Sequence, residues 1–346
     1  MVNSELIKTL SQLNGVSGHE EKITKDIKDI FEKYCHNVTN DNLGNIIGLK
    51  KSKNPDAKRV MLEAHMDEIG MMVTDIDKNG FLYFTSVGGI DPRILLANEV
   101  LVHGKKEIFG IIGAKPPHVI TNDEKGNTIP FDKLYIDTGY SKQEIEDIVS
   151  IGDVVTFSSE FRELKNDVIS TKSQDDRTSV AILIDIMQRL SNTELPFDLY
   201  FVAAVQEEVG LRGARTGAYS INPDFAIIID VCHASTPDAS KDVYDFGSGA
   251  IVSKGPNIHP VLVAKLIESL KENNIKYEID VDGGNTGTDA WSVQITRCGI
   301  PVVLFSIPLR YMHTPIETVS LEDVNVTASS IATFLSNVKK VEDCIC

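Results

Sequence analysis

Three short runs, "DLYFVAAV" (198–205), "FAIIID" (225–230) and "PVVLFSIP" (301–308), are apolar along nearly their whole length. A strand with one wet face alternates polar and apolar residues, whereas a strand apolar on both sides must be covered on both. Helical patterns lie around these runs: "TSVAILIDIMQRL", "HPVLVAKLIESLKENN" and "EDVNVTASSIATFLSNV". Strands alternating with helices predict an α/β fold, a mixed sheet covered on both faces.

The N-terminal part fits the same scheme. Leu6, Leu10 and Leu13 recur at helical spacing, and "SGHE" offers a capping box from Ser17 to Glu20 ahead of Ile23, Ile27, Ile30 and Phe31. "RVMLEAHMDEIGMMV" (59–73) reads as one buried strand. From about residue 72 to 165 the pattern changes. Short β runs ("FLYFTSV", "EVLVHG", "IFGIIGA", "KLYIDTG", "DVVTFS") alternate with Gly, Pro and Asn-Gly turns, and only "SKQEIEDI" looks helical. This predicts a small β-rich domain over 72–165, inserted into a larger discontinuous domain made of 1–71 and 166–346.

A formal net charge of -16 disfavours a nucleic-acid partner, which needs clustered Lys and Arg. No apolar run approaches the roughly 20 residues that span a bilayer. The N-terminal stretch lacks the basic and apolar regions of a secretory signal. Five cysteines form no spaced framework, which fits a reducing cytoplasm. The terminal "EDCIC" reads as a tail outside the core.

Ligands of open α/β sheets gather at the carboxyl ends of strands. Polar residues stand where the apolar runs stop: His65, Asp67 and Glu68 in "LEAHMDEIG", Asp175 and Asp176 in "QDDRT", Glu207 and Glu208 in "QEEVG", Asp230 and His233 in "IIIDVCH", and His313 in "LRYMHTP". Their chemistry suits two divalent metals about 3.5–4 Å apart that share a bridging carboxylate and an activated water. Two neutral imidazoles and three carboxylates carry three negative charges against four positive, and a hydroxide closes the balance. Asp67 follows His65 by two residues, on the same side of an extended strand, and is placed to fix its tautomer. The adjacent Glu207 and Glu208 would break strand alternation, one ligating and the other serving as general base.

At these residues the sequence resembles the M42 family of metallo-aminopeptidases, which includes the tetrahedral (TET) peptidases and glutamyl aminopeptidase. The carriers are "AHMDEIG" (64–70), "DDR" (175–177), "VQEEVGLRGA" (205–214), "IIDVCHA" (228–234), "GTDA" (287–290) and "IPLRYMHTPIE" (307–317). The resemblance implies one metal held by His65, Asp175 and Asp230, and a second held by Asp175, Glu208 and His313. It implies Glu207 as general base and Asp67 as the partner that orients His65. Zinc or cobalt would be the metals and short peptides the substrates. The β-rich insert would be PDZ-like and used in dimer contacts, and the assembly a tetrahedral dodecamer. His233 and Asp289 are further candidates for contacting substrate. The pattern departs at Gln174, where an apolar residue often precedes "DDR" in the family.

Two other functions compete. An endoglucanase-type glycoside hydrolase needs two carboxyls flanking a sugar bond, ~5–9.5 Å apart. Adjacent glutamates are not assignable to opposite sides of a sugar, and the single tryptophan offers little sugar stacking. A catalytically inactive metal-binding cage is the second, and an intact Glu207 argues against it.

Overall fold

The computed structural model describes residues 1–116, 118–119, 128–239 and 243–346. The chain opens with helices α1 (Ser4–Gln12) and α2 (Glu21–Phe31), then strands β1 (Asn37–Asn40), β2 (Ile46–Lys50) and β3 (Arg59–His65). Six strands follow: β4 (Gly70–Ile76), β5 (Leu82–Val87), β6 (Glu99–His103), β7 (Glu107–Gly113), β8 (Tyr135–Asp137) and β9 (Val154–Phe157), with helix α3 (Lys142–Glu146) ahead of the last. Next come β10 (Arg162–Leu164), β11 (Val168–Thr171), α4 (Gln174–Leu190), β12 (Asp198–Ala204), α5 (Arg212–Ile221), β13 (Phe225–His233) and β14 (Ala250–Lys254). The chain ends with α6 (Pro260–Glu272), β15 (Tyr277–Val281), α7 (Asp289–Gln294), β16 (Val302–Arg310), β17 (Glu317–Ser320), α8 (Leu321–Asn337) and α9 (Glu342–Ile345).

The large unit is a mixed 11-stranded sheet, ordered β1-β2-β12-β3-β13-β16-β17-β11-β10, with β14 on β16 and β15 on β14. Its centre is parallel: β12 and β13 flank β3, and β16 lies beside β13. These are the continuous apolar runs. Phe201, Ile227, Ile228 and Phe305 are among the residues they bury. Removing each such side chain from water stabilises by roughly 1.5–3 kcal/mol before chain entropy is counted. The mixed, covered sheet is as expected.

The small unit is a closed barrel, ordered β4-β5-β8-β7-β6-β9, with its own apolar interior built from Met71, Val73, Leu82, Val100, Ile136 and Val155. On β7 the alternation is regular. Ile108 and Ile112 point inward, while Phe109 and Ile111 are exposed.

Three local expectations fail for identifiable reasons. The run 59–73 is two strands, because the chain leaves the sheet after His65 and enters the barrel at Gly70. Both halves are buried, so hydropathy does not mark the break. Ser17 does not cap α2, whose cap position is Glu20; the Ser17 hydroxyl donates to Asp67 instead. The C-terminal residues form α9, which buries Cys344 in the main core.

Candidate metal centre and active site

The carboxyl ends of β3, β12, β13 and β16 bring the candidate residues together. His65 ends β3, Asp230 lies in β13, and Asp175 stands at the head of α4, where it and Asp176 depart from helical backbone. Strand β12 ends at Ala204, and Gln206 adopts a left-handed φ of 57°. That turn breaks the strand alternation, so Glu207 and Glu208 both face the cavity. His313, just beyond β16, also takes a left-handed φ, of 60°.

Nε2 of His65 lies 3.0 Å from Oδ1 of Asp175. Oδ2 of Asp175 lies 3.3 Å from Nε2 of His313, which in turn is 3.2 Å from Oε1 of Glu208. Donor atoms of His65, Asp175 and Asp230 fall within 4.8 Å of one another, as do those of Asp175, Glu208 and His313 and those of His65, Glu207 and Glu208. His65, Asp175 and Glu208 therefore each belong to two of these three overlapping sets, and Asp175 is the residue common to the first two named.

Asp67 is wholly buried beneath this cluster. Its Oδ1 sits 3.5 Å from Nδ1 of His65 and accepts from the Glu207 amide at 3.0 Å. Its Oδ2 accepts from the Glu208 amide at 3.2 Å and from the Ser17 hydroxyl at 2.5 Å. One carboxylate thus ties the end of β3 to the glutamate turn. On the other side Glu317 accepts from the amides of Asp175 at 3.1 Å and His313 at 2.7 Å.

Burial pushes the Glu207 carboxyl up to about 10, against a lowering pull from His65 and with Asp230, Asp289 and Glu208 adding to the rise. Burial likewise lifts Asp230 to about 7 and raises Glu208. Burial opposes a charged His313, yet hydrogen bonds to Asp175 and Glu208 carry it to about 11. Burial would also raise Asp175, but hydrogen bonds from His313 and His65 hold it below the ordinary carboxylate range. The cavity thus concentrates acidic groups that burial alone would neutralise. Divalent cations are what such a His and carboxylate donor set accommodates, and the residues fit them.

The remaining candidates separate. His233, at the end of β13, lines the cavity and is exposed. Asp289 does not line it: Thr288 does, while Asp289 is 1% exposed behind the wall, where its carboxyl meets that of the buried Glu63. Glu68 is fixed by Lys172 at 2.6 Å, by the Gly15 amide at 2.8 Å and by Arg177 at 3.6 Å. Arg177 serves that pair and the carbonyls of Leu10 and Leu13, not Asp176. Gln174 is fully buried and accepts from Thr178. Trp291 lies on α7, away from the cavity lining.

Sequence reasoning missed Glu63 and Glu317. Glu63 is completely buried in β3, two residues before His65, where a lone acid in an apolar strand was the available signal. Glu317 had none beyond its place after "HTPI".

The sequence profile of the family described as M42 glutamyl aminopeptidase matches residues 44–329. The chain belongs to the M42 peptidase family. A lysyl aminopeptidase of Pyrococcus furiosus is 36% identical over 348 residues, 99% of each chain. A TET aminopeptidase from the marine sediment archaeon Thaumarchaeota archaeon SCGC AB-539-E09 superposes with a TM-score of 0.93 at 31% identity, over 98% of this chain and 97% of the other. The Pyrococcus horikoshii TET1 peptidase, described as assembling into a tetrahedron or a large octahedral shell, gives 0.85 at 32% identity, over 96% and 99%. Like these M42 relatives, the protein is an aminopeptidase, and its family is metal-dependent. Among the described residues no helix is long and apolar enough to cross a membrane.

Proposed function

We propose that the protein removes N-terminal residues from short peptides, with two divalent cations, zinc or cobalt, held in the overlapping donor sets. His65, Asp175 and Asp230 would hold one, and Asp175, Glu208 and His313 the other. When bound, the cations would polarise the scissile carbonyl and lower the pKa of the attacking water. The protein's own groups do the rest. Glu207, ionised once the charge of bound cations offsets the burial that otherwise holds it protonated, takes a proton from the attacking water and returns it to the leaving amine. Asp67 fixes the His65 ring and, through two backbone amides, the position of both glutamates.

The observation that carries this reading is the division of labour between neighbours. Glu208 is engaged by His313, whereas the Glu207 carboxylate faces the cavity and enters no ion pair among the described residues. A ligand and a free base side by side suit hydrolysis. The histidines in the donor sets have no role in a two-carboxylate glycosidase.

Hydrolysis of aminoacyl p-nitroanilides by chelator-stripped protein, before and after return of zinc or cobalt, tests the proposal. Cleavage restored by metal, and absent for N-acetylated substrates, is expected. Sugar release from carboxymethylcellulose that survives chelation would overturn it, and so would silence with two ions bound. The barrel insert is proposed as the dimer contact through exposed Phe109 and Ile111, leading to a tetrahedral dodecamer. Light scattering on a Phe109→Asp variant would read a smaller mass.

A further inference from the structure

The catalytic cavity, about 730 Å³ in volume, extends well past the donor cluster. Strands β13, β16, β14 and β15 lie side by side beneath it. Asp230 pairs with Ser306, Ser306 with Ile251, and Ser253 with Asp280. Alternate residues of a strand share a face, so Asp230, Ser306, Leu304, Ser253 and Asp280 point the same way. Three strand spacings, ~14 Å across the sheet at ~4.8 Å each, and a two-residue offset along β14, ~7 Å, put Asp280 ~16 Å from Asp230. Asp280 therefore stands on the cavity floor opposite the donor cluster, and Asp282 follows just after β15.

Both carboxylates are half-buried and line the cavity. Asp280 accepts from the Tyr244 hydroxyl at 2.8 Å and from the Ser253 hydroxyl at 3.4 Å. Asp282 accepts from the Gly284 amide at 2.8 Å. These neutral donors orient the carboxylates, and among the described residues neither carboxylate enters an ion pair. Among the described residues no Lys or Arg lines the cavity. Leu304 and the Tyr244 ring give the space between the two ends an apolar side.

Resting on the aminopeptidase reading above, we propose that Asp280 and Asp282 receive the side chain of the substrate's first residue and select a cationic one, Lys or Arg. The apolar stem of such a residue lies against Leu304 and Tyr244, and its charged head meets the two carboxylates. An acidic first residue is repelled by the same pair.

The test compares lysyl, arginyl, norleucyl and glutamyl p-nitroanilides on the metal-loaded protein. Norleucine keeps the unbranched stem without the charge. Lysyl and arginyl substrates should exceed norleucyl by about tenfold or more in kcat/KM, a difference of about 1.4 kcal/mol, with glutamyl the poorest. In an Asp280→Asn/Asp282→Asn double variant the Lys-to-norleucine ratio should fall toward unity. The ratio is internal to each preparation, so partial loss of folded enzyme leaves it readable. Free lysine should also inhibit the wild type more tightly than free norleucine, which needs no variant. Norleucyl equal to lysyl in the wild type, or an unchanged ratio in the double variant, overturns this assignment while the aminopeptidase stands. No cleavage of any substrate with two ions bound would sink the underlying reading and this one with it.

Discussion

The backbone carbonyl of Gly89 lies 2.8 Å from Nδ1 of His313, so the chain leaving β5 of the barrel sets the tautomer of a candidate metal ligand in the other unit. A carbonyl accepts, so Nδ1 carries the proton and Nε2 turns toward Asp175 and Glu208. A Cβ on Gly89 would come within 3.0 Å of that nitrogen. Gly89→Val should push the ring away and weaken the Asp175, Glu208 and His313 set by roughly 10–100-fold, while the set containing Asp230 keeps its ion. Metal titration should then resolve one tight and one weak equivalent; two tight equivalents would show that the loop is irrelevant to the site.

Asp67 is the corresponding support on the opposite side. Asp67→Asn keeps the size but offers its amide nitrogen to at least one group that now donates to it: the Ser17 hydroxyl or the amides of Glu207 and Glu208. Metal affinity should fall roughly 10–100-fold, as for other groups that orient a metal-binding histidine. Ser17→Ala removes only one of those donors and should have a smaller effect. Equal losses in the two variants would contradict this ranking.

The sheet was legible because β12, β13 and β16 carry apolar residues on both faces, a pattern that few environments tolerate. Most of the donor residues were legible because they stand at or just beyond strand ends, whereas Asp175 heads α4 and was legible from the "DDR" motif. Their supports were not. Ser17 looked like a helix cap, and only the fold brings it beside Asp67, fifty residues on. Closure of the barrel depends on pairing β4 with β9, some eighty positions apart, and no local period encodes that. Asp289, in the "GTDA" motif, looked like a residue facing substrate, yet the start of α7 turns it into the core.

Glu68, Lys172 and Arg177 form a buried charge group that the proposed chemistry does not use. Removing one partner leaves the others unpaired, so Glu68→Gln should cost about 3–5 kcal/mol near neutral pH. Burial would raise the Glu68 carboxyl, but Lys172 and Arg177 outweigh it and hold it below its ordinary 4.5. A carboxylate depressed in the folded state contributes stability that is fully present above the unfolded value. That contribution is lost as pH falls through the depressed one. Urea denaturation of the metal-stripped wild type and variant should show a gap that is constant above about pH 5 and narrows below 4.5. A gap that widens on acidification would contradict the assignment.

Glu207 and Glu208 allow the sharpest separation of roles, because they are neighbours with similar burial and the same chemistry. Glu208 lies 3.2 Å from His313 within a donor set, so Glu208→Gln should lose metal and activity together. Glu207 belongs to neither set proposed to hold an ion. Glu207→Gln should therefore retain two ions and bind substrate, yet lose roughly 10²–10⁴-fold in kcat with little change in KM, as expected when a general base is removed. Metal content and steady-state kinetics on both variants decide the matter. A Glu207→Gln protein that loses an ion would make Glu207 a ligand, and one that keeps full activity would place the base elsewhere.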